Sequence, residues 1–277
     1  MLLLAYRTLK KECCKEYRCL NSANPALFEK SEWQADDRRR KWYVCYKWLV
    51  CIYLLWGLVH DWLLYEFNAN NCKDTETACR IKWFVYCTSW AYLLLICQAL
   101  MSAYLITWQP AATKKSEFST FHRFYWIINN MAYALSLNVS LVYWTLVYSP
   151  GVMVLDFSNI KGHVTNSVLV LVDLMVMAQP VRLLHAYLPM TVGLLFAFFS
   201  AVFYLFGGTN RLLEEAIYPV YYWKYPLKAA YVGSCCEIGI LLMHILVWLV
   251  FLLRSKLAQL VKNSNSQSED ESGVDIV

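Results

Sequence analysis

The chain has 277 residues, 59% of them apolar and only 16% charged, with 12 Trp and 20 Tyr. Soluble domains run at roughly 45–50% apolar and about 25% charged, and here the apolar residues gather into long runs almost free of charge, which excludes a soluble globular domain. The formal net charge of +5 follows the flanks of those runs and gives no sign of nucleic-acid binding.

In chain order, residues 1–42 form a basic segment holding ten of the 25 Lys and Arg. Met1 to Ala5 is too short for the apolar region of a secretory signal, and basic residues follow it rather than precede it. The first span is therefore expected to act as an uncleaved signal anchor. Cys13, Cys14 and Cys19 stand among basic residues in "KKECCKEYRC" and read as S-palmitoylation positions. About 20 apolar residues are needed to cross a hydrocarbon core of roughly 30 Å. Six runs meet that need, at 43–65, 83–107, 124–148, 163–179, 186–206 and 229–253. Aromatic residues crowd their ends, as at Trp42, Trp62, Trp83, Trp108 and Trp126, where amphipathic rings meet the headgroups. Gln179-Pro180-Val181-Arg182 separates the fourth and fifth runs, and proline ends a helical hydrogen-bond ladder, so these two form a tight hairpin. Residues 254–277 are polar, acidic and Ser-rich toward the end, the composition of a disordered tail.

Basic residues set the orientation. Seventeen flank one side of the six runs (residues 1–42, the 107–123 loop, Arg182 and the tail), seven flank the other, and Lys47 lies inside the first run. The positive-inside rule then puts both termini in the cytoplasm. The expected architecture is an all-α, polytopic six-span bundle over 43–253, in the plasma membrane or an endomembrane. Cys72 and Cys79 sit together in the first outer loop, "NNCKDTETACR". A loop facing an oxidising compartment can carry a disulfide, with two free thiols as the alternative.

Polar residues inside the spans are the candidates for function. "KGHVTNSVLVLVDLMVMA", Lys161 to Ala178, places His163, Asn166, Ser167, Val170, Asp173 and Met177 on one helical stripe, which faces the bundle interior. Asp173 stands ten residues from His163, about 15 Å along the axis, and so does not orient that ring directly. Asn166, one turn away, is better placed. Thr88, five residues into the second run, lies roughly 7–8 Å below its start, at a depth where it can meet His163. Glu237 and His244 share a face of the sixth run, and His60-Asp61 closes the first. The plain alternative is interhelical hydrogen bonding among Thr88, Asn166, Asp173 and Glu237, with His60-Asp61 simply solvated. The sequence has no metal-ligand spacing, Gly-rich phosphate loop or G-x-S-x-G elbow, so no metal or cofactor is expected.

Five stretches carry a family likeness: "KWFVYCTSW" at Lys82–Trp90, "HVTNSVLVLVDLMV" at His163–Val176, "PVRLLH" at Pro180–His185, "FYLFGGTN" at Phe203–Asn210 and "IYPVYYW" at Ile217–Trp223. On these the chain resembles the rolling stone proteins, multipass membrane proteins named for an involvement in myoblast fusion. The resemblance implies a role in cell–cell fusion or membrane organisation, with outer loops and lateral faces meeting lipids or partner proteins. A more distant similarity is to the androgen-induced integral membrane hydrolases, which cleave fatty-acid esters of hydroxy fatty acids with an intramembrane threonine and histidine. By position it implies Thr88 as nucleophile and His163 as base, acting on a long-chain lipid ester. Asn166 or helix-end amides would support the oxyanion, and Asp156 is conceivable as the group fixing the imidazole. A transporter is the third reading; Asp173, Glu237 and His244 keep it open, although no inverted repeat marks a midplane site.

Overall fold

The computed structural model describes residues 2–12, 24–67, 71–108, 118–149 and 156–272, and among these every regular element is helical. Six long helices make the body: α1 (Lys41–Val59), α2 (Cys87–Trp108), α3 (Thr120–Val142), α4 (Asn166–Val176), α5 (Tyr187–Leu205) and α6 (Pro226–Ser272). Single π-helical turns extend α1 through His60–Leu64 and α3 through Tyr143–Val147. Four stretches are long and apolar enough to cross a membrane: Lys41–Leu64, Cys87–Trp108, Leu183–Leu205 and Pro226–Ser264. They coincide with the first, second, fifth and sixth expected runs.

The third and fourth runs differ from these four for a physical reason. Helix α3 packs against α2, α4, α5 and α6, so it is the helix with protein on most of its circumference. It buries Asn129, Asn130, Ser136, Asn138 and Ser140, residues that would be costly against lipid but can find partners on neighbouring helices. Ser167 of α4, for example, donates to Ser140 Oγ at 2.7 Å.

The fourth helix is displaced toward the N-terminus of the expected run. Asp156 caps it by accepting from Asn159 N at 2.8 Å, so the helical run starts at Phe157 rather than near His163. It ends at Val176, and Met177 is extended. The last carbonyls of a helix need outside partners, and here the segment before α1 supplies them. Ser31 Oγ donates to Val176 O at 2.8 Å, Trp33 Nε1 to Met175 O at 2.7 Å, and Glu32 N to Val176 O at 3.0 Å. Arg254 of α6 donates to Leu174 O at 2.7 Å and to Gln179 O at 3.0 Å. Thus residues from Asn24 onward dock on the bundle. Helix α6 likewise continues past the expected run to Ser272.

These contacts define two ends. One gathers residues 24–40, the end of α2, the start of α3 and the end of α4: Arg39 reaches Leu105 O at 3.2 Å, and Trp126 Nε1 reaches Pro180 O at 2.9 Å. The other gathers the end of α1 and the starts of α2 and α4. There Lys161 Nζ donates to Gly57 O at 2.9 Å, pairs with Asp61 Oδ2 at 2.5 Å and lies 4.7 Å over the Tyr92 ring. Gly57 makes this close approach possible, because a Cβ there would collide with Tyr92 OH and lie 2.8 Å from Lys161 Cδ. Gly57→Ala is expected to cost about 1–3 kcal/mol through overpacking, seen as a lowered Tm in detergent. An unchanged Tm would show that the junction yields freely.

Candidate functional site

Between α2, α3, α5, α6 and the loop before α6 lies a cavity with about 780 Å³ of atom-free space, part of it continuous with the outside. Val139, Val142, Phe196 and Ile240 give it an apolar wall, and Thr88, Asn138, Tyr143, Tyr218 and Glu237 put polar atoms on it. Glu237 stands eleven residues after Pro226, about 16 Å along the axis, so the cavity reaches well into the bundle.

Thr88 lies in the first turn of α2 and lines this cavity. It lies beside Tyr218, whose oxygen accepts from Cys87 N at 3.0 Å. Its methyl faces α4: a Cβ placed on Gly162 would sit 3.7 Å from Thr88 Cγ2. Thr88 therefore lies near the residue next to His163, with room for a methyl group between them. The His163 ring is buried and lies flat on Tyr143, with centroids 3.6 Å apart and planes 2° from parallel. Its Nδ1 has no hydrogen-bond partner. Tyr143 is thus the element between His163 and the cavity, and the two predicted residues flank one region without a hydrogen bond between them.

The supporting groups sit elsewhere. Asn166 donates through Nδ2 to Gly162 O at 3.2 Å, one turn back on its own helix. Asp156 caps the start of the helical run and accepts from Tyr65 OH at 2.8 Å. The His163 Nδ1 therefore has neither as a hydrogen-bond partner.

A second polar constellation lies toward the opposite end. Lys47 Nζ pairs with Asp173 Oδ1 at 2.5 Å, both side chains being almost wholly buried. Asp173 also accepts from Tyr133 OH and, at 3.5 Å, from Gln98 Nε2. Gln98 in turn donates to Tyr133 OH at 3.0 Å and Asn129 Oδ1 at 3.2 Å. The Tyr43 and Tyr46 rings lie 5.5 and 5.7 Å from the ammonium. One ion pair thereby ties α1, α2, α3 and α4 together, and every charged group in it has a partner. The sequence carried a signal for it, namely a lone lysine in the first span and a lone aspartate at matching depth in the fourth. His244, by contrast, meets the Arg182 carbonyl at 3.0 Å through Nε2.

In the first loop, Cys72 and Cys79 face each other within bonding distance, their Cα atoms 6.2 Å apart. Beside them Lys82 Nζ pairs with Asp74 Oδ2 at 2.8 Å, which holds that carboxyl below its ordinary range. Cys13, Cys14 and Cys19 lie outside the described residues. Among the described residues no three of His, Cys, Asp and Glu come together as a metal-binding group.

A family profile described as "Protein rolling stone" matches residues 6–275 of the chain. A curated relative, "Protein rolling stone" of Drosophila melanogaster, is 27% identical over 253 residues, covering 87% of this chain and 86% of the relative. No solved structure matches.

Proposed function

This chain belongs to the rolling stone family, and from that premise we propose that it is a six-span membrane protein, both termini cytoplasmic, that takes a lipid chain into its outer cavity. In this reading it serves membrane organisation of the kind that accompanies cell–cell fusion, at the plasma membrane or an endomembrane. The cavity carries the proposal. Its wall of Val, Phe and Ile side chains suits an apolar ligand, since small-molecule sites are lined mostly by hydrophobic and aromatic side chains. The basic residues on one flank of the apolar runs support the topology. Helix α3 fits as a span shielded by its neighbours, which is why its hydropathy is low.

Native mass spectrometry of the full chain, extracted in mild detergent, tests the lipid reading. A bound lipid mass is expected, and Val142→Trp, which fills the cavity, should remove it; a lipid-free wild type overturns the reading. Impermeant thiol labelling of Cys72 and Cys79 in intact cells tests the topology. Labelling should appear only from outside and only after reduction, since the pair is expected to be oxidised there. Labelling from the cytoplasmic side alone would invert it.

The nearness of Thr88, at the cavity wall, to the residue preceding His163 favours one second reading: hydrolysis of fatty-acid esters of hydroxy fatty acids. In it Thr88 attacks the ester carbonyl while His163 takes the hydroxyl proton; the acyl C–O bond breaks, the hydroxy fatty acid leaves with that proton, and water, activated by His163, hydrolyses the acyl-threonine.

A further inference from the structure

We infer that the first outer loop is a latch on the cavity: residues 71–82 grip the loop before α6, and a lipid enters or leaves when that grip is released. That role rests on the cavity holding a lipid chain, as proposed above, and concerns how the chain is admitted and kept.

Two cations make the grip. Lys82 Nζ pairs with Asp74 Oδ2 at 2.8 Å on its own side, and donates across to Thr209 Oγ1 at 2.9 Å and Asn210 O at 3.0 Å. Arg211 reaches the other way. Its Nε donates to Cys79 O at 2.8 Å, and its carbonyl accepts from Lys73 N at 2.9 Å. Hydrogen bonds from charged groups are the strong ones, so these two side chains set the strength of the latch. Each side is also braced internally. Thr75 caps the short helix Glu76–Ile81 by accepting from Ala78 N, and Cys79 within that helix lies within bonding distance of Cys72. Opposite, Asn210 is buried, and its side chain bonds Leu212 N, Glu214 N, Glu214 Oε2 and Ala216 O.

Both gripped segments run on into the cavity wall. Cys87 and Thr88 follow soon after Lys82, and Tyr218, Val220 and Tyr221 soon after Arg211; all five line the cavity. The two segments close on each other there. Cys87 N donates to Tyr218 OH at 3.0 Å, and the Tyr86 and Tyr218 rings lie 5.9 Å apart. Elsewhere the wall is helix against helix, α3 on α2, α5 and α6, and α5 on α6. Parting those helices breaks many apolar contacts at once. Parting the two loops breaks a handful of polar ones, and segments of that kind open locally at low cost. The loops are therefore the part of the wall that moves.

The test uses the full chain in nanodiscs loaded with a phosphatidylcholine that carries a diazirine at one chain end, then chased with excess unlabelled phosphatidylcholine. Aliquots are irradiated over time, and the decay of crosslinks to Val142, Phe196 and Ile240 of the wall gives the exchange rate. Lys82→Met and Arg211→Ala should each speed exchange by about tenfold or more. Labelling before the chase should stay within about twofold of the wild type, which shows that the cavity still forms. Glu76→Gln, an exposed position on the same loop, should exchange at the wild-type rate. Exchange within about twofold of the wild type in either latch variant, or equally fast exchange in Glu76→Gln, overturns the latch. Latch variants that lose the initial labelling overturn it too, because the two cations then support the cavity itself rather than admission to it. A wild type without crosslinks to the wall overturns the lipid reading along with the latch.

Discussion

Lys47→Ala is expected to destabilise the protein by about 3–5 kcal/mol, the usual cost of removing one partner from a buried ion pair. The reason lies with the aspartate left behind. Asp173 keeps the hydrogen bonds from Tyr133 and Gln98 but loses the lysine it pairs with in a nearly fully buried site. For a chain of this size the loss corresponds to roughly 6–20 °C in Tm. Replacing both residues with apolar ones of similar volume, Lys47→Met with Asp173→Leu, should recover most of it, because the pair as a whole is near neutral against hydrophobic packing. Thermal unfolding in detergent measures both. A single variant within about 1 kcal/mol of the parent, or a double variant no better than the single, would contradict a structural role and return Asp173 to the list of functional groups.

The second large effect concerns Thr88 and His163. If the cavity cleaves lipid esters, Thr88→Ala removes the nucleophile and reduces turnover to background, while His163→Ala costs about 10²–10⁴-fold, the range for a general base. Ester hydrolysis and labelling by fluorophosphonate probes give the readout. The geometry states what must move first. The His163 ring, pressed flat on Tyr143 at 3.6 Å, has to reach past that ring. Tyr143→Ala should therefore change kcat more than it changes folding. A wild type that folds and binds lipid but neither labels nor turns over esters of any chain length ends the hydrolase reading and leaves the lipid-binding one intact.

Four of the six expected spans were legible as helices long and apolar enough to cross a membrane, because apolar runs of about 20 residues have few other uses. The bounds of the fourth were not. Its start depends on the Asp156 cap, a single loop residue, and its end on carbonyls satisfied by Ser31, Trp33 and Arg254, partners distant in sequence. The inward stripe was readable from its period: His163, Asn166, Val170, Asp173 and Met177 are buried, and Ser167 is half-buried. The partner of Asp173 follows from pairing the only lysine and the only aspartate within their spans, a step the sequence allows once depth is assigned. The cavity could not be seen in advance. Four helices and a loop build it, and its shape depends on Gly193 and Gly239 facing Glu237 and Asn138, a register between helices that no single run encodes. For the same reason Thr88 and His163 matched in depth, while the Tyr143 ring between His163 and the cavity went unforeseen.

Photo-crosslinking tests the cavity most directly. A lipid probe with a diazirine at its chain end is offered to the full chain in nanodiscs, and the modified residues are mapped by peptide mass spectrometry. Crosslinks should fall on Val142, Phe196 or Ile240 of the cavity wall and vanish in Val142→Trp. Crosslinks confined to outward-facing residues such as Leu194, Phe198 and Leu242, and unchanged by Val142→Trp, would mean that lipid only surrounds this protein and does not enter it.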